Sequence, residues 1–244
     1  MTHEKLSESS FHLLNLDHHS ILEQLKIEEA LLRCDDRNWI IINSGSHPAI
    51  VMGISGKIEE LIHLENYRHF SFPIIRRFSG GGTVVVDENT CFISVICNQE
   101  AIDIPPFPQT ILQWNGQLLR PVIGKHFSVC ENDYVIKNKK IGGNAQYLTK
   151  KRWLHHSTLL WDFCPKKMDT LLMPPKFPKY RLNRTHHDFL CTLKSTFSTK
   201  KDFIEGLVNH LHKKFNLKIT ENDEIASLLR HPHRKATRIE KILP

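Results

Sequence analysis

Three consecutive glycines, Gly80-Gly81-Gly82, lie between two β-prone segments, and no other stretch constrains this chain as strongly. They follow Ile74, Ile75, Arg76, Arg77, Phe78 and Ser79, and they precede Thr83, Val84, Val85, Val86 and Asp87. β-Branched residues on both sides predict strand, tight backbone, strand. Three adjacent residues without a Cβ let a ligand lie against the main chain, present amide N–H groups to an anion and tolerate φ > 0. The arginine pair entering the turn adds fixed positive charge, which favours an anion. A plain glycine hairpin is the competing reading. Two nucleotide-binding motifs fail on residue type. No Gly-Lys-Ser/Thr follows, as a P-loop requires, and strand-like sequence stands where a dinucleotide-binding turn would open a helix. A phosphate bound here is expected on a hairpin.

At 244 residues and 40% hydrophobic, the chain is long enough for one substantial core. The formal net charge is +7 and is spread along the sequence with no long Lys/Arg block. That balance fits an acidic partner or a phosphorylated ligand. A nucleic-acid surface is disfavoured, because the aromatics are not interleaved with basic residues in a ribonucleoprotein-like pattern. The six cysteines, Cys34, Cys91, Cys97, Cys130, Cys164 and Cys191, form no Cys-x-x-Cys pair and no knot-like spacing. Zinc ribbons and disulfide frameworks are therefore not expected, nor is any metal site, and a reducing compartment is the default. The first eight residues mix charges without an apolar core, and no apolar run reaches bilayer length. The expectation is a soluble, cytoplasmic protein with no membrane partner.

The spacing of Ile21, Leu22, Leu25, Ile27, Ala30, Leu31 and Leu32 predicts a helix over 17–34 capped by Asp17. Residues 39–43 and 48–54 read as two buried strands across a Ser-Gly-Ser turn, and 58–67 as a short helix leading into the arginine strand. Another apolar strand is expected over 91–97, followed by the Pro105-Pro106 breaker and a helix over 109–123. From Phe127 the sequence turns to β again, through 134–136, a Lys-Asn-Lys turn, 140–148 and 153–163. Residues 165–178 read as a proline-rich loop with a helical turn over 168–172. An amphipathic helix is expected over 200–215, on Phe203, Ile204, Leu207, Val208, Leu211 and Phe215, and a further helix over 221–231.

Two more stretches carry chemistry. In Lys140-Ile141-Gly142-Gly143-Asn144-Ala145-Gln146 a lysine precedes small residues, so its ammonium can reach across open backbone toward a ligand. A solvated turn is the competing reading. In His155-His156-Ser157-Thr158-Leu159-Leu160, adjacent histidines on a strand point to opposite faces and cannot hold one metal ion together.

Taken in order, Arg76-Arg77-Phe78-Ser79-Gly80-Gly81-Gly82, Lys140-x-x-Gly143-x-Ala145-Gln146 and His155-His156-x-Thr158-Leu159-Leu160 resemble the three signature segments of the biotin/lipoate A/B protein ligase family. The similarity is greatest to its lipoate-protein ligase A branch. It covers roughly residues 14–163, including Glu28-Glu29-Ala30-Leu31-Leu32, and becomes faint afterwards. The resemblance implies an α+β catalytic domain, with a central, largely antiparallel sheet flanked by helices, akin to the class II aminoacyl-tRNA synthetase core. A single such domain is expected over 1–244, without a recognisable C-terminal accessory domain.

The resemblance also implies a reaction. Lipoate and Mg-ATP would give lipoyl-adenylate and pyrophosphate, and a lysine of an acceptor lipoyl domain would then displace AMP. Acceptors of this kind are the lipoyl domains of 2-oxoacid dehydrogenase complexes and glycine-cleavage H-like protein. By the same resemblance Arg77, Gly82, Thr83, Val84 and Val85 contact ATP, and Lys140 bridges the acyl carboxyl and the α-phosphate. Arg76, Ser79, Gly80, Gly81, Asp133, Gly143, Ala145 and His156 would line the lipoyl-adenylate pocket. The chain departs from the family pattern at Val86, where histidine is usual, and at Ser157, where glycine is usual; Val86 favours a more apolar acyl chain, with lipoate and octanoate both open as the small-molecule substrate. Two rival readings stay open: an octanoyl or lipoyl transferase of the same fold using Cys130 as nucleophile, and a non-enzymatic lipoate-binding protein.

Overall fold

The structure is a computed structural model that describes residues 9–173 and 177–241. The N-terminal eight residues, read above for a targeting signal, and residues 174–176 of the proline-rich loop lie outside the described residues. The strands are β1 Ser10–Leu16, β2 Trp39–Asn43, β3 Ala49–Met52, β4 Ile74–Arg76, β5 Val84–Val86, β6 Thr90–Asn98, β7 Phe127–Cys130, β8 Asp133–Ile136, β9 Lys139–Leu148, β10 Arg152–Leu160, β11 Asn216–Ile219 and β12 Arg238–Glu240. The helices are α1 Ile21–Cys34, α2 Ile58–Leu61, α3 Leu64–Tyr67, α4 Pro108–Ile123, α5 Pro165–Met168, α6 His186–Phe189, α7 Lys200–Lys214 and α8 Asn222–Leu228.

The strands form a large sheet in the order β11-β1-β2-β6-β10-β9-β8-β7 and a small one in the order β12-β4-β3-β5. The large sheet is antiparallel except at β1, which runs parallel to both β2 and β11. The expected α+β class with a largely antiparallel sheet flanked by helices is what the chain adopts.

Strand alternation decides where each half of the core sits. On β6, Cys91, Ile93, Val95 and Cys97 join Trp153 and Leu159 of β10 in a cluster completed by α4 and α7. Helix α7 supplies Phe203, Leu207 and Leu211 from one face, each fully buried and each contributing about 1.5–3 kcal/mol. Its N-terminus carries a capping box between Thr199 and Asp202. The opposite face of the large sheet presents Phe92, Ser94 and Ile96 of β6 and Leu154, His156, Thr158 and Leu160 of β10. Helix α1 and the small sheet cover that face, so α1 is buried along most of its length, including Glu28 and Glu29.

Several expectations need correction. The segments flanking the glycines are not a hairpin: β3 lies between β4 and β5, parallel to the first and antiparallel to the second. The glycine stretch is therefore a crossover at the rim of the small sheet. Strands β2 and β3 do not pair either; Ser44-Gly45-Ser46 carries the chain from one sheet to the other. Helix α1 starts at Ile21, and Asp17 is not its cap but accepts a hydrogen bond from the Ser44 hydroxyl. The region 58–67 splits into the single turns α2 and α3, and the turn expected over 168–172 is Pro165–Met168. Strands β1, β11 and β12 were not anticipated.

Candidate functional site

A cavity of about 730 Å³ opens between α1, the small sheet and the α1-side face of the large sheet. Its wall includes Arg77, the three glycines and residues 83–86 from the small-sheet side, and Lys140, Gly143, Ala145, His156 and Thr158 from the large sheet. The glycine crossover is built for close approach. Gly81 has φ +95°, and a Cβ there would meet Arg77 Nη2 at 2.8 Å and Ala145 Cβ at 3.1 Å. Gly53 packs so tightly beneath that a Cβ would lie 2.4 Å from the Gly81 carbonyl oxygen. A side chain at Gly53 would push on the Gly81 backbone that forms the wall, and one at Gly81 would meet the Arg77 guanidinium in a backbone conformation that only glycine adopts without strain.

Arg77 holds the crossover in shape from within. Its guanidinium donates to the Gly80 carbonyl at 2.6 Å and the Gly82 carbonyl at 2.8 Å, and its Nε donates to Ser79 Oγ at 3.1 Å. Burial lowers its pKa to about 10, still protonated at neutral pH. The arginine thus points the glycine carbonyls inward to itself. Among the described residues no acceptor is found for the N–H groups of Gly80, Gly81 and Gly82, which leaves them available to a ligand.

The motif is tied to α1 by a polar chain that sequence reasoning missed. Ser79 Oγ lies 3.0 Å from His156 Nε2, and His156 Nδ1 lies 2.8 Å from Glu28 Oε2. The other Glu28 oxygen accepts from Ser94 Oγ at 2.6 Å and Gln24 Nε2 at 2.9 Å. Burial pushes the Glu28 carboxyl up, but the His156 charge and the hydrogen bonds from His156, Ser94 and Gln24 outweigh it and hold the group ionised. Facing a carboxylate, which can only accept, His156 Nδ1 donates to Glu28. The available signal was two adjacent glutamates inside an apolar helical run, where one of them must enter the core.

On the far wall Lys140 Nζ forms an ion pair with Asp133 Oδ1 at 2.6 Å, and Tyr180 donates its hydroxyl to Asp133 Oδ2 at 2.9 Å. Strands β8 and β9 bring Asp133 and Lys140 together through a register shift between Tyr134 and Val135. Residues past Phe163, where the sequence resemblance fades, complete this wall: Arg181, His186, Phe189 and Leu190 all face the cavity. Thr83 Oγ1 and Gln146 Oε1 are sealed from solvent without a partner among the described residues, and both residues line the cavity.

The structure thus brings together Arg77, Gly80, Gly81, Gly82, Thr83, Val84, Val85, Asp133, Lys140, Gly143, Ala145 and His156. Ser79 is fully buried behind the wall and acts through Arg77 and His156. Arg76 is not brought to the cavity. As the neighbour of Arg77 along the chain it points the other way, donating to the carbonyls of Ile54 at 2.9 Å and Gly56 at 2.6 Å and to Glu240 at 2.5 Å. Cys130 also lies outside the lining. Burial, Glu131 and Asp133 all push its thiol pKa up. Val86 is fully buried against Ile21, Leu25, Val51 and Phe92, which makes the inner end of the cavity apolar.

The family model of the lipoyl protein ligase A/B catalytic domain matches residues 20–214 of this chain. The chain belongs to that family. Among its relatives is the inactive lipoate–protein ligase 2 of Plasmodium falciparum, 26% identical across 81% of this chain and 68% of that protein. Another is the lipoate-protein ligase LplJ of Bacillus subtilis, 29% identical across 57% of this chain and 42% of that protein. The chain thus spans less than half of LplJ. Among solved structures it is similar to a chain from an archaeal lipoylation system of Thermoplasma acidophilum, described as a bipartite lipoate protein ligase and its E2 lipoyl domain. There the TM-score is 0.72 at 19% identity, over 92% of this chain and 91% of that one. It is also similar to lipoate-protein ligase A bound with ATP, with a TM-score of 0.68 at 18% identity over 91% and 93% of the two chains. At these identities the likeness is one of fold.

Proposed function

We propose that this family member is an ATP-dependent lipoate-protein ligase. It would activate lipoate or a related medium-chain acid as the acyl-adenylate and pass the acyl group to a lysine of an acceptor lipoyl domain. The observation that carries the reading is that Arg77, Lys140 and three glycines whose N–H groups have no acceptor among the described residues line one cavity, with no cysteine among its described lining residues.

Joining a carboxylate to a triphosphate requires neutralising charge at the point of attack. In this reading Lys140 holds the acyl carboxylate beside the α-phosphate. Arg77 keeps the glycine N–H groups aimed at the phosphate oxygens. A carboxylate oxygen attacks the α-phosphorus, the bond to the bridging oxygen breaks, and pyrophosphate leaves with the electron pair. The neutral amine of the acceptor lysine then attacks the acyl carbon and AMP departs. No side-chain nucleophile is needed. Mg²⁺ enters with ATP as part of the substrate complex. The apolar end formed by Val86 and Phe92 suits the acyl chain. The net charge of +7 suits an acidic acceptor, such as a lipoyl domain of a 2-oxoacid dehydrogenase or a glycine-cleavage H-like protein.

The test is ATP–pyrophosphate exchange with lipoate, octanoate and biotin. Exchange with the first two and not the third is expected; wild type inert with every acid would overturn the reading. Lys140→Ala should lower exchange by roughly 100-fold or more while the thermal midpoint stays near wild type, because Lys140 is a partly exposed side chain at the cavity wall. Exchange by that variant at the wild-type rate would remove Lys140 from the mechanism.

A further inference from the structure

Among the described residues three cations, Arg77, Lys140 and Arg181, line the cavity, and their partners differ. Lys140 is paired with Asp133. Arg77 is spent on the glycine carbonyls and is linked through Ser79 and His156 to Glu28. Arg181 is only 4% exposed, yet among the described residues no carboxylate lies within ion-pairing distance of it. Its Nε donates to the Arg184 carbonyl at 3.1 Å, and its guanidinium lies over the Phe189 ring at 4.8 Å. Of the two terminal nitrogens, Nη2 reaches only Met173 Sδ at 3.1 Å, a weak acceptor, and Nη1 has no acceptor among the described residues. Stacking and the Nε bond therefore fix the plane of the guanidinium, while its two-nitrogen edge is left without an oxygen.

A buried cation in that condition calls for an anion, and the free fork matches a phosphate bidentately. The segment is held in place independently of any ligand. Tyr180 bonds Asp133, the Tyr180 N–H donates to Glu131 at 3.1 Å, Arg184 donates to the Asn138 carbonyl at 2.9 Å, and the Cys191 N–H donates to the Lys140 carbonyl at 2.8 Å. Arg181 is thus preorganised on the wall that carries Lys140. The acyl carboxylate and α-phosphate are already matched by Lys140 and the glycine crossover, and of the cations among the described lining residues this leaves Arg181 for the β- and γ-phosphates.

Resting on the adenylating reading above, we propose that Arg181 holds the pyrophosphate end of ATP and stabilises pyrophosphate as it leaves. The charge that develops on the bridging oxygen as its bond to the α-phosphorus breaks is delocalised onto a group Arg181 already grips. Acyl-adenylate and AMP lack that group, so Arg181 contributes to activation and not to transfer.

The experiment compares wild type, Arg181→Met and Arg181→Lys. Calorimetry measures binding of ATP, AMP and inorganic pyrophosphate, and two assays measure pyrophosphate exchange and acyl transfer from preformed lipoyl-adenylate. Arg181→Met should weaken pyrophosphate and ATP binding and slow exchange by roughly 100-fold. AMP binding and transfer from the adenylate should stay within about threefold, and Arg181→Lys should recover part of the loss. Equal losses in AMP binding and adenylate transfer would show that Arg181 only packs the wall, and would overturn the proposal. Pyrophosphate binding that survives Arg181→Met, or is absent from wild type, would overturn it too. Wild type that binds pyrophosphate through Arg181 yet catalyses no exchange would leave the subsite standing and sink the adenylating reading instead.

Discussion

Two adjacent pairs, Arg76-Arg77 at the end of β4 and His155-His156 in the middle of β10, divide their labour in the same way for different reasons. In each pair the second member serves the cavity and the first holds a sheet. The arginines sit where a three-residue strand ends, so the outer one must be anchored by what lies nearby: the carbonyls of Ile54 and Gly56, and Glu240 of β12, which pairs with β4. The histidines sit between two long neighbours, β6 and β9, and His155 is fully enclosed on the α4 side. Its ring accepts from Gln146 Nε2 at 3.0 Å and faces Tyr134 Oη at 3.0 Å. Burial, with the nearby His156, lowers its pKa to about 3, so it is neutral. A charged anchor works at a rim because carbonyls and a carboxylate can surround it. An interior anchor without a charged partner, like His155, has to be uncharged.

The sharpest way to break this symmetry is to truncate the arginines one at a time. Arg77→Ala removes both the cavity cation and the clamp on the Gly80 and Gly82 carbonyls, and should lower exchange by roughly 100-fold or more. Arg76→Ala loses only anchoring bonds. It should cost about 1–3 kcal/mol of stability, measured by urea unfolding, with exchange reduced no more than several fold. If the two variants lose activity equally, the strand alternation is not what separates their roles.

The histidine pair is tested by acid. His155 is neutral when folded and titrates near 6.5 when unfolded, so the unfolded chain takes up the proton first as pH falls. Its contribution is present in full above about pH 6.5 and is lost progressively toward the folded value of about 3, a total on the order of a few kcal/mol. Glu28, whose carboxyl is held below its ordinary range, adds a loss at the acidic end as it protonates. Urea midpoints of the wild type should therefore fall between pH 7 and 5. His155→Gln should be less stable at pH 7 but flatter across that interval. A wild-type slope retained in full by the variant would place the acid sensitivity elsewhere.

Much of this arrangement was legible in the residues. The strong helices α1, α4 and α7 follow from apolar spacing, and the opposed histidines follow from strand alternation. The ordered motifs gave the family and most of the cavity wall. The same alternation separates Arg76 from Arg77, but at the end of a short strand, beside a glycine stretch, local pattern does not fix side-chain direction. The parallel contacts of β1 and the insertion of β3 between β4 and β5 are long-range pairings that no local pattern encodes. Glu28 was hidden because a carboxylate in an apolar helix acquires meaning only from its partners, and those are Ser94 and His156, far away in sequence. Arg181 lies where the motif signal had faded, in a segment whose placement depends on Tyr180 reaching Asp133.

The smallest effect belongs to a residue just outside both pairs. Cys130 ends β7, opposite Asp133 in the β7–β8 ladder, close in sequence to the Lys140 wall, where a thioester-forming transferase of this fold would need its nucleophile. A transferase requires a thiolate and no ATP; a ligase requires ATP and no thiol. Burial and the carboxylates of Glu131 and Asp133 raise the Cys130 pKa, which removes thiolate at neutral pH, and nothing cationic is among the groups that shift it. A catalytic thiol needs the opposite surroundings. Cys130→Ala should therefore keep ATP-dependent lipoylation within a few fold, and thioesters of acyl carrier protein should be poor donors with or without the cysteine. A variant dead in octanoyl transfer, alongside a wild type indifferent to ATP, would reverse the assignment. The Asp133–Lys140 pair would then have to be reread as a support for the thiol.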